Sequence, residues 1–248
     1  MASIGISEST FAIALLAEQQ SRQWGNLASY PVLPSLFDEA GVGWDAYLPI
    51  VGAPMFLQFK VSDYMTHWRS AHHAFLQNTP YYRFHLHPSN NFQQHNRLRV
   101  LSQNYPDTYY VAPEVNTGVA FQNAYLAQMV TEDSRFIPVN LCYDIAEGDS
   151  HEIFYSQSHG IWQASEPQQI ETAHDRDFAT LLKRSTERSR PINRDFASEL
   201  IRNLTLVGGV RSREREAERK ATMPDMLRIA ADAAMSLGLH LSIVGDKQ

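Results

Sequence analysis

The chain contains one cysteine, Cys142, in 248 residues. A lone thiol excludes an intramolecular disulfide framework and a cysteine-rich zinc site, and it fits a reducing compartment. There is also no apolar run long enough to cross a bilayer, and no charged start leading into a long apolar segment. The expectation is a cytoplasmic protein with no membrane partner. Positive charge is scarce as well: 21 Lys and Arg against 27 Asp and Glu give a net charge of −6. Phosphate contacts therefore need a local concentration of cations. One such region exists. From Lys183 to Lys220 there are eleven Lys and Arg against six Asp and Glu, which leaves −11 for the rest of the chain. Internal repeats and low-complexity tracts are absent too. Apolar side chains are plentiful at 44% of residues, enough for a full core as one large domain or as a core with a C-terminal addition.

The chemistry-bearing stretch runs from Gly41 to Lys60. Trp44 to Val51 is mostly aliphatic, aromatic or β-branched, Gly52-Ala53-Pro54 is turn chemistry, and Met55 to Val61 is apolar again. That pattern predicts a β-hairpin. Strand side chains alternate faces, so Met55, Leu57 and Phe59 point one way and Phe56, Gln58 and Lys60 the other. Phe56 makes that second face partly buried, where an ammonium is costly without a partner. Asp45 on the first arm is the obvious one. Such a pair is consistent with a structural salt bridge. It is equally consistent with a site in which Asp45 and Gln58 offer oxygens to a hard divalent cation while Lys60 orients the attacking water and offsets charge on the phosphorus oxygens.

Asp45, twelve intervening residues and then Gln58-Phe59-Lys60 resemble the catalytic hairpin of the PD-(D/E)xK nuclease superfamily, in the Gln-x-Lys variant of Mrr-type restriction endonucleases. The similarity covers about twenty residues as motif and extends as pattern over roughly the first 115. It implies a restriction-endonuclease-like α/β fold, a mixed β-sheet flanked by helices. It also implies a Mg²⁺-dependent phosphodiesterase, with Mn²⁺ as a substitute, in which Asp45, Gln58 and the Phe59 backbone carbonyl bind metal and Lys60 lies near the nucleophilic water. Two positions depart from the pattern: Trp44 stands where Pro is usual, and Gln58 replaces an acid, removing one negative charge from the site. In the resembled family a first-helix Glu often approaches the metal, which makes Glu8 the candidate for the missing carboxylate and Glu18 the poorer one.

The remaining elements read as follows. Ser7 caps a helix whose buried stripe is Phe11, Ile13, Ala14, Leu15, Leu16 and Ala17. Asp63 to Gln77 has helical spacing, and its histidines His67, His72 and His73 do not share a face as zinc ligands would. Pro80 to His87 is a strand whose Arg83 and His85 could contact phosphate, although an aromatic strand with a polar outer side is the commoner arrangement. A helix over Asn91 to Gln103 presents Gln94 as a possible support for the hairpin, and a strand over Thr108 to Ala112 ends at Pro113. Then come a helix from Gly118 to Thr131, an apolar strand-like stretch from Arg135 to Ile145, and a second hairpin, His151 to Tyr155 with Ile161 to Ala164, turning at Ser158-His159-Gly160. His151, Glu152 and His159 form a weak alternative hydrolase cluster, since no Ser or Cys nucleophile sits in a recognisable elbow. Glu171 to Ala234 is largely helical, and Leu239 to Val244 is a closing strand. Arg211-Ser-Arg213-Glu-Arg-Glu-Ala-Glu-Arg-Lys220 alternates in sign, which describes an ion-paired, solvated helix; its sharper reading makes Arg211 and Arg213 nucleic-acid contacts.

Two units are expected: a nuclease-like α/β domain over 1–170 and a mostly helical, partly basic region over 171–248 packed on it. The leading function is a metal-dependent DNA endonuclease, the cutting component of a bacterial anti-phage or restriction system. A homodimer would suit cleavage of both strands, and a partner subunit of the same system is the other expected contact. The alternative is a catalytically inactive nuclease-fold scaffold, motivated by Gln58 and by the acidic balance of the first two thirds.

Overall fold

The computed structural model describes residues 2–22, 53–66, 72–77, 79–86, 88–145, 151–164, 167–172, 176–188, 193–208, 221–235 and 240–244. Ser7 starts helix α1 (Glu8–Arg22) as the sequence anticipates: its hydroxyl accepts from the Thr10 N–H at 3.0 Å and its carbonyl from the Phe11 N–H. Phe11, Ala12, Ala14, Leu15 and Leu16 are buried, whereas Ile13, expected in the stripe, is 54% exposed. Strand β2 (Ala53–Phe59) lies beneath α1, with Phe59 meeting Phe11 edge to face at 5.6 Å. Such an aromatic pair adds about 0.5–1.5 kcal/mol beyond its buried area. It also fixes the start of α1 over the end of β2.

A mixed four-stranded sheet is built around β2. Its order is β10 (His240–Val244), β2, β5 (Thr108–Pro113), β6 (Ser134–Pro138), with β2 and β5 parallel and the other pairs antiparallel. A parallel pair needs a long crossover, and this one contains α2 (Pro88–Asn104). At Phe56 and Leu57 both edges of β2 are occupied, by β10 and by β5. There the neighbour is the C-terminal strand and not a preceding hairpin arm; residues 44–51, read as that arm, lie outside the described residues. Past Leu57 no described strand covers the β10 side of β2.

The second sheet is antiparallel throughout, in the order β1 (Ala2–Ser3), β3 (Asp63–Met65), β4 (Tyr81–Leu86), β7 (His151–Tyr155), β8 (Ile161–Ala164), β9 (Gln168–Ile170). Strand β3 corrects the start of the helix expected from Asp63: cross-strand pairing to β1 and β4 on its two edges overrides the helical spacing, and among the described residues of that segment His73–Leu76 forms a short 3₁₀ turn. The β7–β8 hairpin forms as expected. Gly160 takes φ +72° in its turn, and a side chain there would be strained.

Both faces of the four-stranded sheet are buried, and that positions the site. Met55, Leu57, Phe59, Tyr109, Val111 and Phe136 pack against α1, α3 (Gly118–Leu126) and α4 (Phe178–Glu187). Phe56, Tyr110 and Ile137 face Tyr82, Phe84, Ile153 and Tyr155 of the other sheet. Leu200 and Leu204 of α5 (Arg194–Gly208) and Met226 of α6 (Met223–Met235) join the same core. The C-terminal region thus shares the core of the first sheet and supplies β10 to it. The fold is mixed α/β with six α-helices among the described residues, none long and apolar enough to cross a membrane.

Candidate active site

The alternation along β2 runs as its sequence dictates. Met55, Leu57 and Phe59 enter the core under α1, while Phe56 and Gln58 turn toward the second sheet, with Gln58 only 5% exposed. Gln58 stands in register with Tyr110 and Phe59 with Val111, and the Lys60 N–H donates to the Val111 carbonyl at 2.8 Å, continuing the pairing one residue past the strand. The Lys60 ammonium lies 3.7 Å from the Glu8 carboxylate at the first turn of α1. Lys60 is largely buried, its side chain 16% exposed, and Glu8 is half exposed. A first-helix acid and the Gln-x-Lys lysine, 52 residues apart in sequence, are therefore brought to one point.

Glu18, the other acid of that helix, is committed elsewhere. Its carboxylate accepts the Val130 N–H at 2.7 Å and the Thr131 N–H at 3.2 Å and pairs with Arg22 at 3.0 Å, which ties α1 to the turn before β6. Asp45, Arg211 and Arg213 lie outside the described residues, as does the side chain of Gln94.

Arg83 and His85 stand on the outer face of the six-stranded sheet, away from the core that takes Tyr82 and Phe84. Arg83 donates to both oxygens of Glu152 at 3.0 and 3.2 Å, and its Nε lies 4.0 Å from Asp63. His85 Nδ1 is 3.5 Å and His72 Nε2 3.2 Å from the same Glu152. Burial alone would raise the Glu152 pKa; the His72 hydrogen bond and the Arg83, His85 and His72 charges outweigh it and hold the carboxyl below its ordinary value. His151, Glu152 and His159 do not assemble. As neighbours on β7, His151 and Glu152 point to opposite faces, and His159 meets Ser156, Ser158 and Thr79 instead.

A buried ion cluster that the sequence reading passed over sits at the far side of β5. Glu114, just beyond β5, is 7% exposed and Arg135, on β6, is 4% exposed. Arg135 Nε donates to Glu114 at 2.7 Å, one of its terminal nitrogens to the Ser156 carbonyl at 2.5 Å, and Arg176 donates to the same carboxylate at 2.7 and 2.9 Å. Burial lowers the Arg135 pKa from its ordinary value, opposed by Glu114. One signal was available: a lone arginine in the apolar run Ser134-Arg135-Phe136-Ile137 demands a buried acid.

Among the described residues no group of three His, Cys, Asp or Glu could hold a metal ion. Among the described residues an oxygen donor of a type suited to Mg²⁺ stands at Lys60 in the Glu8 carboxylate, while the buried Gln58 side chain turns toward the second sheet; one carboxylate facing one ammonium carries no net charge. Comparison with family models, with curated proteins and with solved structures returned no match.

Proposed function

We propose that this chain is a metal-dependent DNA endonuclease of restriction-endonuclease-like fold, the cutting component of a bacterial defence system. The observation that carries the reading is the approach of Glu8 to Lys60 at the end of the Gln-x-Lys strand, 3.7 Å apart. Support also comes from the order of elements: a leading helix, the strand bearing Gln58, a helical crossover and a parallel strand beside it. Asp45, Glu8, Gln58 and the Phe59 carbonyl would hold Mg²⁺ or Mn²⁺, which when bound supplies Lewis-acid polarisation of the phosphate and a water of lowered pKa. Lys60 would orient the attacking water and offset negative charge on the phosphorus oxygens as the water oxygen bonds to phosphorus and the bond to the sugar oxygen breaks. The second reading is an inactive nuclease-fold scaffold, favoured by the amide at position 58 and by a Lys60 already engaged in an ion pair.

The test is cleavage of plasmid and linear DNA by wild type and Lys60→Ala, each with Mg²⁺, Mn²⁺ or EDTA. Metal-dependent nicking that disappears in Lys60→Ala is the expected result. Equal residual cleavage by both proteins, or none under any condition, refutes the enzyme and leaves the scaffold.

A further inference from the structure

Helix α3 and the turn after it lie on the surface without a single charge. Residues 115–131 contain no Asp, Glu, Lys, Arg or His, in a chain that is 19% charged. Phe121 and Ala124 hold the helix to the core, while Val119 is 68% exposed, Leu126 71%, Tyr125 49% and Met129 42%. Apolar side chains exposed singly are ordinary, but these stand together. With 3.6 residues per turn, Val119 and Leu126 lie one above the other, Gln122 and Asn123 flank them, and Tyr125 stands beyond Gln122. The exposed residues thus span an arc of about 160°. Their apolar part is on the order of 400 Å², a size at which a patch on a monomer marks an interaction site. Tyr and Met are also among the residues enriched where proteins meet.

The patch is held stiffly. The Thr117 hydroxyl accepts the Ala120 N–H at 3.1 Å at the start of α3. At its end Gln128 takes φ +55°, so that the Met129 N–H donates to the Ala124 carbonyl at 2.8 Å and the Gln128 N–H to the Tyr125 carbonyl at 3.1 Å. Helix α1 then clamps the turn from beneath. Arg22 donates to the Gln128 carbonyl, Glu18 accepts the Val130 and Thr131 N–H groups, and the Gln19 amide donates to the Thr131 hydroxyl at 2.6 Å. An apolar surface fixed in this way loses little freedom when it is covered. Arg22 and Glu132, paired at 2.6 Å, supply a charged rim.

Charge decides what covers it. Two copies of a chain of net charge −6 repel, and least across a face that carries none. In a two-fold contact each group near the axis meets its own copy, where a charged side chain would face its like. Gln122, Asn123 and Gln128 avoid that, because an amide both donates and accepts and can pair with itself. A helix that lies on a lipid surface carries Lys and Arg on its polar side, and α3 has none. An unlike partner would be selected by complementary charge, for which this face offers nothing.

We propose that the outer face of α3, from Val119 to Met129, is the surface through which two copies of this chain meet about a two-fold axis. No residue of the Lys60 site enters it, so the contact stands whether or not the chain cuts DNA. Pairing the two patches buries on the order of 800 Å² of apolar surface in all, which suits a reversible dimer at the weak end of specific association.

The experiment is sedimentation velocity of the full chain over a concentration series, with wild type, Leu126→Glu, Leu126→Lys and an equimolar mixture of the two variants. Leu126 is exposed, so both variants keep the fold, which unchanged thermal melting verifies. Wild type should show a monomer–dimer equilibrium with a Kd on the order of 10–100 µM. Each variant alone should dimerise at least tenfold more weakly, and the mixture should associate at least as tightly as wild type, since opposite charges then face each other. A wild type that stays monomeric overturns the interface, as does Leu126→Glu that dimerises like wild type. A mixture no tighter than its components overturns the two-fold contact. The other occupants have their own signatures, each of which also overturns it: a monomer whose melting temperature falls in Leu126→Glu, which assigns the patch to the same chain, or Leu126-dependent co-sedimentation of a monomer with phosphatidylcholine vesicles.

Discussion

Acid should loosen this protein at His95 before it reaches the ordinary carboxylates. His95 is 2% exposed, and it joins α2 to β5 and to the segment after β6. A carbonyl only accepts, so Nε2 carries the proton and donates to the Tyr143 carbonyl at 2.8 Å, which leaves Nδ1 to accept from the Tyr110 hydroxyl, also at 2.8 Å. The neutral ring is thus fully satisfied. Desolvation pushes its pKa down to about 4, against the Tyr143 hydrogen bond and Asp144, with Arg99 and His151 adding to the fall. An unfolded histidine titrates near 6.5. As pH drops, the unfolded chain binds the proton first, so this contribution is complete above about pH 6.5 and is lost between there and pH 4. The gap is worth about 3 kcal/mol. The perturbation is His95→Gln, which removes the titration and costs about 1–3 kcal/mol at pH 7 through the lost ring hydrogen bonds and packing. Urea unfolding followed by tryptophan fluorescence at pH 7, 6, 5 and 4.5 is the assay. The stability advantage of wild type should shrink by about 2–3 kcal/mol across that range. A pH-independent difference would refute the reasoning. Because Tyr110 stands in register with Gln58, the same protonation would unseat the strand beside the candidate site.

Two further changes test the joints that carry the site. Glu18→Ala removes the acceptor of two buried N–H groups and should cost about 2–4 kcal/mol, measured by urea unfolding; a loss below 1 kcal/mol would mean that the turn before β6 finds other partners. Glu114→Gln removes the carboxylate that Arg135 and Arg176 share and should destabilise by about 3–5 kcal/mol in the same assay. A loss below 1 kcal/mol would show that other groups satisfy the two guanidiniums.

The local pattern of this chain settled a good deal. Alternation along Met55 to Phe59 fixed which side chains enter which core, because a strand offers only two faces. Ser7 stopped the backbone at the start of α1, Gly160 closed the β7–β8 turn, and the last apolar run formed a strand. The polar Gln58 and Lys60 were conspicuous in an apolar run, and a first-helix acid was expected nearby. Tertiary structure decided what those residues meet. Helical spacing after Asp63 yielded to edge pairing with β1 and β4, a choice made by strands that lie far away in sequence. The neighbours of β2 came from residues 108–113 and 240–244, since parallel pairing and a closing strand are long-range contacts that no window of sequence contains. The same holds for Lys60 with Glu8 and for Arg135 with Glu114 and Arg176. Side-chain type declares that a buried charge needs a partner, but only the packing of helices and sheets decides which residue supplies it.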